Sequence, residues 1–263
     1  MFAFKIRKHV RLLSLFTALV LALMQLVGCG GAAPGKTGGN GGALKPGGGS
    51  AELTAADSYT AFTQAKGEVF HAITDAISSN PDTALESISF IGVAFLDLAL
   101  IPAACFGLGA EMANTTLGFL GAENIDYSED GNIYSVKYKG EDGAQYELQG
   151  EYDKGADALK CIAKTDGKDT LVAEYRKTSY GYVAQYYSID EDGTFVYQIT
   201  VSGQNGVLGI SQSASMPASL TGDEAFDFPK QSQMWYEIKD NVITALTSAG
   251  EEITFIYTPS DDE

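Results

Sequence analysis

The sequence predicts an α+β fold in which an N-terminal helical hairpin packs on a curved antiparallel β-meander of about ten strands, which could form a half-barrel. Three observations predict it. Apolar residues first recur at helical spacing, an almost uncharged apolar stretch then fills 88–110, and from Asn124 apolar and polar residues alternate. We expect one folded domain over 51–263, helical over 51–123 and a meander over 124–263, with the helices covering the apolar face of the sheet.

The first predicted helix spans 52–79. Its apolar residues recur at spacings of three and four, as on one face of a helix. Asn80-Pro81 should end it, because the residue before a proline avoids helical backbone angles. A second helix should start at once, capped by Asp82 or by Thr83, which has capping-box spacing to Glu86.

The second predicted helix spans 85–120 and is strongly apolar. Asp97 is the only charged residue between 88 and 110, and Pro102 should kink the helix or break it into two. A charge at the centre of a bilayer costs about 2.5–3.5 kcal/mol on insertion scales. We therefore expect this helix to lie inside the folded domain rather than in a membrane.

The meander is predicted from runs of alternating residues joined by turn signals. Asp-Gly pairs such as Asp166-Gly167 are typical of tight hairpins, and a stretch without alternation, 214–231, predicts one long loop. The ten predicted strands are 132–139, 144–152, 157–165, 169–177, 180–189, 194–202, 206–213, 233–239, 241–247 and 251–258.

The N-terminus has the three parts of a secretory signal. Four basic residues precede an apolar run from Leu12 to Gln25, and Leu26-Val27-Gly28-Cys29 follows. This tetrapeptide resembles the lipobox of bacterial lipoproteins. The resemblance implies a signal peptide over 1–28 and a covalent diacylglycerol on Cys29, which would anchor the protein to the outer side of the cell membrane.

Residues 29–50 are predicted to be a tether behind the lipidated cysteine. Ten glycines lie between 30 and 50, so this stretch cannot bury enough surface to fold. Gly30 stands where the inner-membrane retention signal would place an aspartate, which favours a Gram-positive surface over a periplasm. The tether also contains Gly35-Lys36-Thr37, a phosphate-loop pattern, but without the strand and helix that such a loop needs, so we expect no nucleotide.

Charge and residue counts exclude several classes of function. The signal removes four basic and no acidic residues, so the net charge of −17 becomes −21 for 29–263, which disfavours nucleic acid and anionic lipid surfaces as partners. His71 would be the only histidine left, so we predict no histidine-rich metal site, no Ser-His-Asp triad and no cofactor beyond the lipid. Cys105 and Cys161 either pair or, in the interpretation we favour, are buried thiols.

Two groups of residues are candidates for binding. The turn at Asp190, Glu191 and Asp192 brings three carboxylates together and could hold a cation weakly, although it lacks the rest of a calcium loop. Tyr180, Tyr182 and Tyr186 share one strand face by alternation and could form an aromatic binding face, or simply pack.

Three classes of function stay open from the sequence. The predicted architecture is similar to that of half-barrel lipoproteins and lipoprotein carriers, which implies a carrier or sequestering protein for a lipid or another apolar ligand. We favour a non-catalytic binding or structural module of the cell envelope, and its ligand stays open between an envelope polymer, a protein and a lipid. A hydrolase that uses a pair of carboxylates is the third class, but no such pair stands out.

Overall fold

The computed structural model describes residues 53–80, 83, 87–190 and 193–258, which belong to one compact unit. These residues form a run of helices followed by a sheet of eleven strands, which confirms the α+β class and the meander. The helices are α1 (Ala55–Ser79), α2 (Ser87–Ala99), a 3-10 helix (Ile101–Cys105) and α3 (Ala110–Phe119). The strands are β1 (Glu123–Asp130), β2 (Ile133–Lys139), β3 (Gln145–Asp153), β4 (Ala158–Thr165), β5 (Lys168–Lys177), β6 (Tyr182–Asp190), β7 (Gly193–Ser202), β8 (Asn205–Gln212), β9 (Met234–Lys239), β10 (Val242–Leu246) and β11 (Glu252–Ile256).

Helix α1 has a well-defined start and end. The Thr54 hydroxyl accepts a hydrogen bond from the Asp57 amide, and the Asp57 carboxylate accepts one from the Thr54 amide, so the two residues form a capping box. At the other end Asn80 is extended, as expected before Pro81. The Thr83 hydroxyl donates a hydrogen bond of 3.0 Å to the carbonyl of Ile77, and Glu86, its predicted capping-box partner, lies outside the described residues.

From Ser87 on, the helix predicted over 85–120, with a kink or a break at Pro102, consists of three short pieces. Pro102 lies in the first turn of the 3-10 helix, where it needs no amide proton, and the α-helical ladder therefore stops at Ala99. Gly109, at φ +86°, is the N-cap residue of α3 and separates it from the 3-10 helix. Among the described residues, no helix combines the length and the apolar character needed to span a membrane.

The sheet is a meander in which each strand pairs antiparallel with the next one along the chain. Its order runs from β1 to β11 without a crossover, so β1 and β11 are the two edges. Short turns connect the strands, except between β8 and β9. Asp166-Gly167 and Asp240-Asn241 each place two successive residues at positive φ, as a type I′ turn requires. The eleventh strand, missing from the prediction, is β1.

One face of the sheet is covered by the helices through pairs of aromatic rings. Phe62 of α1 stacks on Tyr175 with centroids 4.3 Å apart, and Phe90 of α2 meets Tyr236 edge-on at 5.2 Å. Phe106, after the 3-10 helix, stacks on Tyr134 at 5.0 Å. Such pairs bury large apolar surfaces and fix ring orientation, and the buried core lies between the helices and β2 to β10.

The other face carries the long loop between β8 and β9, residues 213–233, which we call the outer loop. The Phe226 carbonyl accepts a hydrogen bond of 2.6 Å from the buried hydroxyl of Thr200, whose chain neighbour Ile199 belongs to the helix-facing core. Successive side chains of a strand point to opposite faces, so Thr200 marks the second face. The predicted loop 214–231 is thus confirmed, apart from a short 3-10 helix at Phe228–Gln231.

Candidate functional site

The centre of the molecule holds a buried positive charge on helix α1. Lys66 lies on the same face of α1 as Phe62 and Val69, and only 4% of its side chain is exposed. Its ammonium group forms an ion pair with Asp97 of α2 and donates a hydrogen bond of 3.1 Å to the Tyr186 hydroxyl of β6. Three separate elements therefore meet at one charged atom.

The surroundings of the ammonium group explain why a lysine is tolerated there. Its nitrogen lies 5.2 Å from the Tyr186 ring centroid and 5.6 Å from that of Phe62, distances at which aromatic faces attract a cation. Asp97 keeps 29% of its side chain exposed, so the carboxylate retains part of its hydration. A buried charge needs such partners, because an unpaired one is costly.

The phenols beside this pair are held neutral. Burial raises the pKa of Tyr186 well above its usual value of 10.0, and the negative charge of Asp97 raises it further. Burial and the same carboxylate also raise the pKa of Tyr59. At neutral pH both phenols therefore stay protonated, and the Tyr186 hydroxyl accepts a hydrogen bond from Lys66 and donates one to Asp97.

A second polar cluster surrounds Ser58, which precedes Lys66 by about two turns of α1. The buried hydroxyl of Ser58 lies 2.8 Å from the Tyr175 hydroxyl and donates to Asp157. Tyr152 donates to the same carboxylate at 3.3 Å, and Lys177 pairs with it at 3.4 Å. Ser58 has an acid beside it but no histidine, since His71 is exposed further along α1. The arrangement ties α1 to the sheet and provides no activated nucleophile.

A third cluster fixes the outer loop to the sheet. Glu174 is buried and accepts hydrogen bonds from Gln185 at 2.6 Å and from the Leu220 amide at 2.7 Å. Gln185 also donates to the Ala218 carbonyl at 2.6 Å. The carboxylate thus has partners on neighbouring strands and in the loop, which makes it a structural anchor for the loop.

The structure separates the three tyrosines that alternation places on one face. Tyr186 is buried beside Lys66, and Tyr182 lies edge-on to Phe62 at 5.7 Å, so both face the helices. Tyr180 instead donates a hydrogen bond to the Glu224 carbonyl of the outer loop. Gly181, at φ +151°, precedes β6 and breaks the alternation between Tyr180 and the strand. The prediction that all three tyrosines share one face is therefore wrong, because Tyr180 contacts the outer loop.

The other predicted sites fall largely outside the described residues. Cys29 and the tether do so, as do Glu191 and Asp192, while the backbone of Asp190 ends β6. Within the described part of the chain, no group of three or more His, Cys, Asp or Glu side chains is arranged to hold a metal ion. A cation at this turn thus stays a prediction.

The two cysteines of the body are buried and unpaired. Cys105 lies in the 3-10 helix and Cys161 in β4, where both thiols pack in the interior. Burial raises the pKa of each thiol, so both stay protonated and unreactive at neutral pH. This is the arrangement favoured from the sequence.

Sequence reasoning missed Lys66, although a signal for it exists. Lys66 is the one charge on the stripe formed by Tyr59, Phe62, Val69 and Ile73, and Asp97 is the one charge in the apolar stretch that follows. Two isolated charges of opposite sign, each on an otherwise apolar helix face, predict a buried pair.

The cavity between the helices and the sheet is small. It measures about 10 Å³, roughly enough for one water molecule, and is lined by Tyr59, Phe62, Leu100, Leu159, Cys161, Ala173, Glu174, Tyr175 and Tyr186. Comparison with known proteins gives no further guidance, because no family model, curated protein or solved structure matches the chain.

Proposed function

We propose that this protein is a lipid-anchored protein of the bacterial cell envelope whose folded part is a non-catalytic binding or structural module. One observation carries the proposal for the folded part. The helices pack closely on the sheet, and the cavity between them measures only about 10 Å³. Ligand pockets usually measure about 300–1,000 Å³, so a partner would bind to the outside of this fold. The finer picture, a helical hairpin over a curved half-barrel, belongs to the same proposal.

The anchoring is supported by the sequence. A basic start, an apolar run and Leu26-Val27-Gly28-Cys29 occur in the order of a lipoprotein signal, and a glycine-rich stretch follows. Two acyl chains on Cys29 would hold the protein stably to a bilayer, whereas one chain holds only marginally. Helix α1 begins at Ala55, with Thr54 as its N-cap residue, and these residues follow the predicted tether closely in sequence.

The interior chemistry favours a module without catalysis. The buried charge of Lys66 is bound to Asp97, Glu174 is bound to Gln185 and a loop amide, and Ser58 is bound to Asp157 and Tyr175 with no histidine beside it. These three groups already serve another part of the fold. A lipid carrier would require the helices to move off the sheet, because the cavity between them is small.

The anchoring is tested by changing Cys29 to alanine in the full chain and growing cells with a radiolabelled fatty acid. We expect Cys29→Ala to lose the label and either to leave the membrane fraction or to accumulate as uncut precursor. Cys105→Ala is the matched control, since it removes a cysteine far from the signal and should keep label and membrane location. A Cys29→Ala protein that stays in membranes at mature length would refute the proposal.

A further inference from the structure

We propose that helix α3 and the residues beside it form a membrane-contact surface on which the folded body rests against the bilayer. This inference rests on the proposed lipid anchor. The surface consists of four exposed apolar side chains: Leu53 (47% exposed), Leu108 (41%), Met112 (46%) and Phe119 (73%). Single exposed apolar residues are ordinary, but a group of large ones in one part of a fold indicates an interaction surface.

Helix α3 is apolar on two separate sides. Ala113 and Leu117 are buried against the body, while Met112 and Phe119 are exposed. Residues seven apart lie almost directly above one another on a helix, so Met112 and Phe119 form one outward ridge. Exposed Thr115 lies between them along the helix. One side of the helix is thus used by the fold, and the ridge has no use within it.

Backbone contacts bring the start of the folded body to the same place. The Ala56 amide donates to the Phe106 carbonyl at 3.0 Å, and Thr54 approaches Gly107 closely. Leu53 precedes Thr54, and Leu108 follows Gly107. The first described residue, Leu53, is therefore a neighbour of the segment that leads into α3, and the apolar residues belong to one region.

The position of the tether identifies the bilayer as the occupant. In sequence, the glycine-rich stretch 30–50 ends three residues before Leu53, which belongs to this surface. A chain of 21 residues with the flexibility that this composition predicts has a root-mean-square reach of roughly 25 Å. Anchoring therefore keeps this side of the body at high effective concentration near the bilayer, and a weak apolar contact suffices for docking.

Charge distinguishes the bilayer from a second copy of the protein. The mature chain carries a net charge of −21, so two copies repel each other. The stretch from Lys66 to Lys137 contains no other lysine or arginine, and it includes all of α3. Two acidic residues, Glu111 and Glu123, flank the ridge in sequence. The surface thus offers apolar contact without basic residues, and a zwitterionic lipid surface fits it better than an anionic one.

The test uses the full lipidated chain reconstituted into phosphatidylcholine vesicles. Thr115→Cys, labelled with an environment-sensitive fluorophore, reports on the ridge. Met216→Cys, on the outer loop and 53% exposed in the native residue, is the matched control. On vesicle binding we expect the Thr115 label to shift to the blue and to lose about twofold or more of its quenching by aqueous iodide, since such helices lie about 5–10 Å into the interface. The Met216 label should not change.

A second variant keeps the test sharp. Met112→Ser with Phe119→Ser removes the ridge from exposed positions, so it should keep the fold and the anchor but abolish the change at the Thr115 label. Equal water exposure of the Thr115 and Met216 labels on vesicles overturns the inference. So does a Thr115 label that is shielded at high protein concentration without lipid, which would identify a second copy. If mass spectrometry finds no acyl chains on Cys29, both the proposed function and the inference are overturned. If Cys29 is acylated but the fluorescence of the Thr115 label does not shift on vesicles, the inference alone is overturned.

Discussion

Lys66 and Asp97 form an ion pair that joins helix α1 to helix α2 over the centre of the sheet. The two partners are buried to different extents, 4% of the lysine side chain and 29% of the aspartate side chain being exposed. This difference matters because removing one partner leaves the other with its desolvation cost uncompensated. Loss of the partner should therefore cost more free energy at Lys66, since its side chain has almost no access to water.

The pair therefore predicts an asymmetric response to mutation. Asp97→Ala should lower the free energy of unfolding by about 3–5 kcal/mol, because it leaves a buried ammonium group with only the Tyr186 hydroxyl. Lys66→Met should cost less, about 1–2 kcal/mol, because Asp97 can turn towards water. Urea denaturation of the two variants measures both values.

The double variant completes the cycle. Lys66→Met with Asp97→Ala should be more stable than Asp97→Ala alone, because no charge is left buried. The exposed acid Asp126 supplies a control, and Asp126→Ala should change stability by less than about 0.5 kcal/mol. Strictly additive losses at Lys66 and Asp97 would show that the pair does not couple the two helices.

The sheet could be predicted from the sequence because its signals are local. Alternation gave ten strands, and hairpins at Asp166-Gly167 and Asp240-Asn241 follow from residues that tolerate positive φ. Strand β1 escaped because its eight residues include four acids, and only Ile125 and Tyr127 are partly buried. An edge strand needs little apolar surface, so its period is weak.

The features that escaped depend on contacts distant in sequence. Pro102 signalled a kink or a break, but the second break at Gly109 depends on where the chain must turn to place α3. Tyr180 joins the outer loop because Glu224, 44 residues later, offers a carbonyl. Alternation describes a strand in isolation and cannot predict such partners.

Two glycines with different surroundings should respond oppositely to alanine. Gly67 is exposed on α1 and a Cβ there meets no atom within 4 Å, so Gly67→Ala should stabilise by about 0.5–1 kcal/mol through lower backbone entropy of the unfolded chain. Gly206 of β8 is buried, and a Cβ there would lie 2.7 Å from the Thr200 carbonyl oxygen and against Val69. Gly206→Ala should cost about 1–3 kcal/mol.

Thermal unfolding of both glycine variants measures the difference. The informative quantity is the sign of the change in stability, since the same methyl group is added in each variant. A neutral Gly206→Ala would mean that α1 does not pack closely on β8, contrary to the contact between Gly206 and Val69.

Glu224 predicts an acid-sensitive outer loop. Partial burial raises its pKa, but hydrogen bonds from Thr221 and Gly222 to the carboxylate outweigh this effect, and the net pKa lies below its usual 4.5. A lowered pKa in the folded state stabilises the fold above pH 4.5, and this contribution is lost as pH falls through the lowered value. Glu224→Gln should therefore cost about 1 kcal/mol at pH 7 and flatten the acid limb of stability.

Hydrogen exchange checks the effect at the loop itself. At pH 7 the amides of Thr221 and Gly222 should exchange faster in Glu224→Gln than in the parent chain. Asp223→Asn is the control, because Asp223 is an exposed acid beside the same turn. If both variants exchange alike, the carboxylate of Glu224 does not hold the loop.

The buried phenols predict alkaline unfolding. Burial raises the pKa of Tyr175 and of Tyr186 above the usual 10.0, and the charge of Asp97 adds to the effect at Tyr186. A raised pKa in the folded state means that the stabilising contribution is complete below pH 10 and is lost as pH rises towards the folded value. Because three buried tyrosines, with Tyr59, share this behaviour, the losses add in the same pH range.

Phenolate formation should therefore accompany the loss of structure. In a titration above pH 10, we expect the near-ultraviolet phenolate absorbance of the buried tyrosines to rise together with the loss of far-ultraviolet circular dichroism. The same chain in concentrated urea is the control, and there all tyrosines should titrate near the ordinary value of about 10. Gradual, complete ionisation in a chain that keeps its circular dichroism would show that water reaches Tyr175 and Tyr186 in the folded state. The core would then be more open than the contacts around Phe62 and Lys66 indicate.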